Sequence, residues 1–117
     1  MKQQDLVWVK LPFSSLEESK VRPAVIVSNN EYNNGSQDVV VCAVTSSLEQ
    51  KLYSVIIDNK NLSKGKLPIK SRIRADKIMQ IEKSLIISAF AQIDNKTYDI
   101  LINEINKLIE RNKTSNN

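Results

Sequence analysis

Val21-Arg22-Pro23-Ala24-Val25-Ile26-Val27-Ser28-Asn29 sets an arginine and a proline directly before a short apolar run that closes on Ser-Asn. Pro23 fixes its own φ and pushes Arg22 into an extended conformation. The run behind it is rich in β-branched residues and bounded by polar turn formers, which predicts a buried strand over Pro23 to Val27. Arg22 is thereby held at the mouth of a strand on stiff backbone. That is a good mount for a cation that must meet a phosphate at fixed geometry. The same residues also suit a plain strand-start device, and on their own they favour that plainer reading.

Working outward, Leu6 to Lys10 alternates around Trp8 and predicts a first strand. Leu11 to Val21 reads as a loop carrying Ser14, Ser15, Glu17, Glu18 and Ser19. Asn29 to Asp38, with Asn33-Asn34-Gly35, is a turn region with room for one helical turn. Val39 to Val44 is apolar on both faces and predicts a central strand. Tyr53 to Ile57 predicts a fourth strand, and Asp58 to Lys70 a polar loop punctuated by Gly65 and Pro68. Arg72 to Ala75 and Met79 to Ile81 read as short strands around Asp76-Lys77, and Leu85 to Ile93 as the last strand. The clearest period is helical: Tyr98, Leu101, Ile102, Ile105, Leu108 and Ile109 form one apolar stripe. Asp94 is its natural N-cap, and Glu104 can pair with Lys107 on the exposed side. Residues 1–111 are expected to form one domain, with 112–117 a disordered tail that has no apolar anchor. Short strands followed by one helix predict a mainly β, barrel-like sheet with a packed C-terminal helix.

Composition narrows the chemistry. The chain has no histidine, which excludes Cys/His and Ser/His/Asp catalysis and any histidine-ligated zinc. Its single cysteine, Cys42, lies in the apolar central strand and reads as a small core residue in a reducing compartment. No cofactor or metal is called for. No apolar run approaches a membrane span and no signal-peptide pattern opens the sequence, so the expectation is a cytoplasmic protein with no membrane role. The net charge is +4, and Lys60, Lys64, Lys66, Lys70, Arg72, Arg74, Lys77 and Lys83 crowd one stretch with only Asp76 and Glu82 among them. Such a zone suits a polyanionic partner, or simply a solvated loop.

Taken together, Asp5-Leu6-Val7-Trp8-Val9, then Arg22-Pro23-Ala24-Val25-Ile26-Val27-Ser28-Asn29, then Val39 to Val44 closing on Thr45-Ser46 resembles the MazF/PemK family of toxin endoribonucleases. The resemblance runs from about Gln4 to about Ile109 and implies an SH3-like small β-barrel with a C-terminal helix. It implies a homodimeric, metal-independent endoribonuclease of a type II toxin–antitoxin system. Such an enzyme cuts single-stranded RNA to 2′,3′-cyclic phosphate and 5′-hydroxyl ends and is held in check by a cognate antitoxin. On this resemblance the catalytic candidates are Arg22, Thr45, Arg74 and Asp76, and the RNA-binding candidates Phe13, Lys20, Pro23, Ser46 and Lys77.

The residues themselves support part of this. Arginine stays protonated, so its contribution to RNA cleavage is electrostatic, binding the phosphorane bidentately. Thr45 closes a stiff strand, which aims its hydroxyl or merely ends the strand. Alternation places Arg74 and Asp76 on one face, where the carboxylate acts as a base, orients the arginine, or forms a surface pair worth little. Phe13 is the aromatic best placed to stack on a base, whereas Trp8, Tyr53 and Phe90 lie in strand patterns. Lys77 stands where many relatives have Gln. The first loop lacks both their glycines and the PemK/Kid histidine, so cleavage should rest on Arg22 and Thr45 as in the MazF branch. The rival function is a non-catalytic relative on the same fold, binding RNA or, like CcdB, poisoning gyrase.

Overall fold

The computed structural model describes residues 1–12, 19–49 and 51–113. The chain runs β1 (Asp5–Pro12), β2 (Ser19–Ile26), α1 (Asn30–Gly35), β3 (Asp38–Thr45) and β4 (Ser54–Ile57). A 3₁₀ turn (Asn59–Asn61) leads to β5 (Leu62–Gly65) and then β6 (Ser71–Glu82). A second 3₁₀ turn (Lys83–Leu85) leads to β7 (Ile86–Ile93) and α2 (Asn95–Ile109). All pairings are antiparallel, and the seven strands lie in the order β4-β6-β3-β2-β1-β7-β5. The sheet curls into a half-barrel with β4 and β5 as its edges.

The central strands bury both faces, as the apolar run of β3 predicts for that strand. In β1 Leu6 enters one core while Val7 and Val9 enter another. In β2 Val25 joins the first and Ala24 and Ile26 the second. In β3 Cys42 and Val44 join the first, Val39 and Val41 the second. α2 covers the first core with Leu101, Tyr98 and Ile105. The second core fills the curl of the sheet, with Leu11, Met79 and Leu85 packed around it.

β6 is the element that differs most from its sequence pattern. Two short strands were expected around Asp76-Lys77, and one 12-residue strand forms. Its ladder with β3 breaks at the expected place: Val44 pairs with Ile73 and Cys42 with Ile78, so Ala43 faces the four residues Arg74 to Lys77. There the strand leaves β3 and leans on β4, with the Ala75 amide donating to the Tyr53 carbonyl at 2.9 Å. The bulge also reverses alternation. Ile73 and Ala75 point into the first core, whereas Met79 and Ile81 point into the second.

The Asp58–Lys70 stretch is more ordered than a polar loop. Asp58 caps the first 3₁₀ turn through the Lys60 amide, Asn59 accepts from the Leu67 amide, and Leu67 is buried. β5 then pairs with β7. Gly65 has φ +81°, and a Cβ there would lie 2.4 Å from the Phe90 carbonyl oxygen, so only glycine fits this edge. β1 and β2 each extend further into the first loop than their apolar runs suggest. Tyr53 takes φ +60° and stands outside β4. The heart of that first loop, 13–18, lies outside the described residues, as do 114–117 of the expected tail.

α2 forms as its period dictates. Asp94 caps it by accepting from the Thr97 amide at 2.8 Å, and Lys107 pairs with Glu104 at 3.0 Å. The stripe does not stay buried to its end: Leu101 is fully buried, whereas Leu108 and Ile109 are exposed. Leu101→Ala should therefore cost about 3 kcal/mol, and Leu108→Ala less than about 1 kcal/mol, in denaturant unfolding. Equal losses would place a different helix face on the sheet.

Candidate functional site

Arg22 shares a face of β2 with Ala24 and Ile26, since alternate residues of a strand point the same way. Ala24 pairs with Ala43 across β2 and β3. Continuing that register by two residues in each strand brings Arg22 opposite Thr45. Sequence alone cannot supply this juxtaposition, because it rests on which strands pair and in what register. Both side chains line a groove of about 800 Å³, together with Leu11, Ala43, Val44, Arg74, Lys77, Met79, Gln80, Ile81, Glu82 and Leu85. The floor is the rim of the second core, and Arg74 and Lys77 reach the groove from the β6 bulge.

Thr45 is half-buried, and its Oγ1 accepts the Ser47 amide at 3.2 Å. The hydroxyl proton is then available for donation. Beyond Thr45, on the side away from Arg22, Arg72 pairs with it across β3 and β6. Arg72 is 5% exposed, and its Nε donates to the Ser47 carbonyl at 3.1 Å. The Arg74 guanidinium grips Asp76 bidentately, Nε to Oδ1 at 3.1 Å and Nη2 to Oδ2 at 3.2 Å. That hydrogen bonding, more than the charges of Arg74 and Arg72, holds the Asp76 carboxyl below its ordinary range against the opposing effect of burial. A carboxylate so engaged is a weaker base, and the geometry makes Asp76 an orienter of Arg74.

The other candidates are more scattered. Lys20 is exposed and shares Arg22's face of β2, and Ser46 is exposed just past Thr45; neither lines the groove. Pro23 lies on the opposite face of β2, across from Trp8. Trp8 stacks on Phe90 with ring centroids 4.5 Å apart. Phe13 lies outside the described residues. Among the described residues no aromatic lines the groove, and its larger apolar side chains are those of Leu11, Val44, Met79, Ile81 and Leu85. A search of the sequence for aromatic platforms misses these aliphatic residues, since their pattern is that of an ordinary core. The basic zone also divides. Lys60, Lys64 and Lys66 belong to the β5 region at the far end of the sheet from β6, so Arg74 and Lys77 meet Arg22 without them.

Cys42 is buried, and burial, helped by the charge of Asp76, pushes its thiol up to about 12. It is a packing residue, inert as a nucleophile near neutrality. Among the described residues no three His, Cys, Asp or Glu side chains cluster to hold a metal ion, and no helix is long and apolar enough to cross a membrane.

A small curled sheet with one capping helix and a cationic groove beside a strand-end threonine defines the class. The family described as "PemK-like, MazF-like toxin of type II toxin-antitoxin system" matches residues 2–109, and the chain belongs to that family. No curated protein sequence matches. Among solved structures, an endoribonuclease in complex with its cognate antitoxin from a mycobacterial species superposes with TM-score 0.79 at 17% identity, covering 97% of this chain and 99% of that one. MazF in a MazE-MazF complex from Deinococcus radiodurans gives TM-score 0.78 at 18% identity over 96% and 98% of the two chains. MazF from the same organism gives 0.76 at 19% identity over 95% and 97%. These likenesses establish the fold.

The Arg74–Asp76 pair generates a pH prediction. Because the folded carboxyl sits below its unfolded value, whatever the pair contributes is present above the unfolded pKa and is lost as pH falls through the folded one. By carboxyl NMR, Asp76 should titrate below the ordinary aspartate value, and Arg74→Ala should move the midpoint back up. An unchanged midpoint would mean that the pair does not persist in solution.

Proposed function

We propose that the chain is the toxin of a type II toxin–antitoxin system and acts as a metal-independent, sequence-selective endoribonuclease on single-stranded RNA. The observation that carries this reading is that Arg22 and Thr45, which an extension of the β2–β3 register sets opposite one another, line one groove that Arg74 and Lys77 make cationic. In the reaction the 2′-oxygen forms a bond to phosphorus as the bond to the 5′-oxygen breaks. The 2′-hydroxyl gives up a proton and the leaving 5′-oxygen gains one. The products are a 2′,3′-cyclic phosphate and a 5′-hydroxyl. Arg22 binds the non-bridging oxygens as charge grows on them, and the Thr45 hydroxyl donates to the same centre. Asp76 keeps the Arg74 guanidinium aimed at the phosphate. With no histidine in the chain, proton traffic falls to carboxylate, hydroxyl and water.

Purified protein and a long single-stranded RNA in EDTA provide the test. Cleavage should persist, and Arg22→Ala should lower it on the order of 10²-fold or more, by analogy with removing one transition-state donor. Arg22→Lys should also fail, since a point charge lacks the bidentate fork. Thr45→Ala should be nearly as damaging, while Thr45→Ser keeps part of the rate. A folded Arg22→Ala protein that cuts at the wild-type rate would overturn the mechanism. Loss of cleavage in EDTA with recovery in magnesium would overturn metal independence. RNA bound but left intact by the wild type would mark a non-catalytic binder.

The working form is proposed to be a cytoplasmic homodimer inhibited by a cognate antitoxin. The open edges of the half-barrel and the exposed Val21 and Ile87 supply surface for a second copy. One solved relative is itself described in complex with its cognate antitoxin. Light scattering at micromolar concentration should give twice the chain mass, and an antitoxin peptide should displace RNA in competition. A monomer would remove the dimer, and simultaneous binding of peptide and RNA would remove the shared groove.

A further inference from the structure

We propose that Arg72 is a positioning residue that holds the Thr45 hydroxyl in place by clamping the turn behind it. The inference deepens the proposed cleavage reaction and rests on it. Thr45 ends β3, and residues 46–49 beyond it are exposed. Two hydrogen bonds fix the start of that turn, and both use Ser47. Its amide donates to Thr45 Oγ1 at 3.2 Å, and its carbonyl accepts from Arg72 Nε at 3.1 Å. Among the described residues, the Arg72 bond is the side-chain hydrogen bond that ties this turn to a distant strand, 25 residues away in sequence. Without it Ser47 can swing away, and the bond that orients the hydroxyl goes with it.

The position of Arg72 argues that it is not there for the fold. It sits between Thr45 on β3 and Ile56 on β4, next to the buried Ile73, with 5% of its surface exposed. Burying a guanidinium is costly, and an apolar residue in its place serves a sheet interior as well or better. The row Arg22, Thr45, Arg72 then assigns different tasks to its two arginines. Arg22 is exposed and lines the groove, whereas Arg72 is buried and does not. Arg72 therefore acts through Thr45 and not on the phosphate.

The experiment compares Arg72→Met, which removes donor and charge, with Arg72→Lys, which keeps charge and one donor group. Two readouts are needed: single-turnover cleavage of a short single-stranded RNA, and hydrogen exchange at the Ser47 amide. Arg72→Met should slow the chemical step on the order of 10-fold to 100-fold, as a small misplacement of a reacting group does, while RNA affinity stays within about threefold. Ser47 exchange should accelerate while the Val41 amide stays protected. Arg72→Lys should recover part of both effects, and it serves as the informative variant if the methionine protein does not fold. In a Thr45→Ala background, Arg72→Met should cost nothing further, because the two residues act as one unit. An equal loss on that background, or a loss of affinity and salt dependence with the rate intact, would overturn the proposal. If the wild-type protein cleaves no RNA, the proposed function fails on its own, and Ser47 exchange still decides whether Arg72 holds the turn.

Discussion

The register break between β3 and β6 is the constraint on which the rest of the molecule depends. A regular antiparallel ladder would set one residue of β6 against each residue of β3, and β6 would keep the same residues on the same face from end to end. Instead Ala43 faces four residues. The first half of β6 feeds the core beneath α2 through Ile73 and Ala75, and the second half feeds the core inside the curl through Met79 and Ile81. One strand thereby joins two cores, which gives a small chain a curled sheet buried on both sides. The residues released from the ladder, Arg74 to Lys77, are also those that bring charge to the groove. Bulges bend strands and re-aim side chains; here the same distortion serves architecture and site together.

This arrangement explains why cations can stand at an apolar rim. Arg74 and Lys77 leave from backbone that is displaced from β3, so their charged ends reach water while Met79 and Ile81 beside them stay on the core. The ion pair between Arg74 and Asp76 is more than a third exposed on both sides. Pairs of that kind add little stability. Its consequence is geometric, because a bidentate carboxylate fixes a guanidinium plane that would otherwise sample many rotamers. It also draws the Asp76 carboxyl down and so moves that group away from general-base work. Of the three readings that alternation leaves open for Asp76, orientation is the one the contacts favour.

Legibility from sequence followed the range of the interactions. β1, β2, β3 and α2 carry their own periodicity, and the Asp94 cap is a local event between residues three apart in the chain. The 58–70 stretch was unreadable because its order comes from Asn59, Asn61 and Asp58 bonding to backbone and from pairing of β5 with β7, about thirty residues on. Lys60, Lys64 and Lys66 read as part of one basic zone because they are close in sequence to Arg72 and Arg74, and the sheet order carries them to the other end. Arg22 and Thr45 could be singled out as residues, but their facing one another is a property of the β2–β3 register. Arg72 was harder still: in sequence it is one more cation among eight, and its burial sets it apart only in the fold.

Lys77 lines the groove at a position where the family resemblance sets a glutamine in many relatives. A glutamine presents both a donor and an acceptor, and so can read a base edge in two directions. An ammonium only donates, and its three donors rotate freely. In the bulge beside Arg74, Lys77 therefore adds charge and gives up an acceptor. Arg22, Arg74 and Lys77 then surround the groove with Glu82 as the one acid among its lining residues. Such a field suits a polyanion, and under the proposed function that is the phosphate backbone, whose attraction is independent of sequence. Under the proposed function, selectivity among bases falls to shape at Leu11, Met79 and Leu85, because the Gln80 amide already donates to the Tyr32 hydroxyl at 2.9 Å.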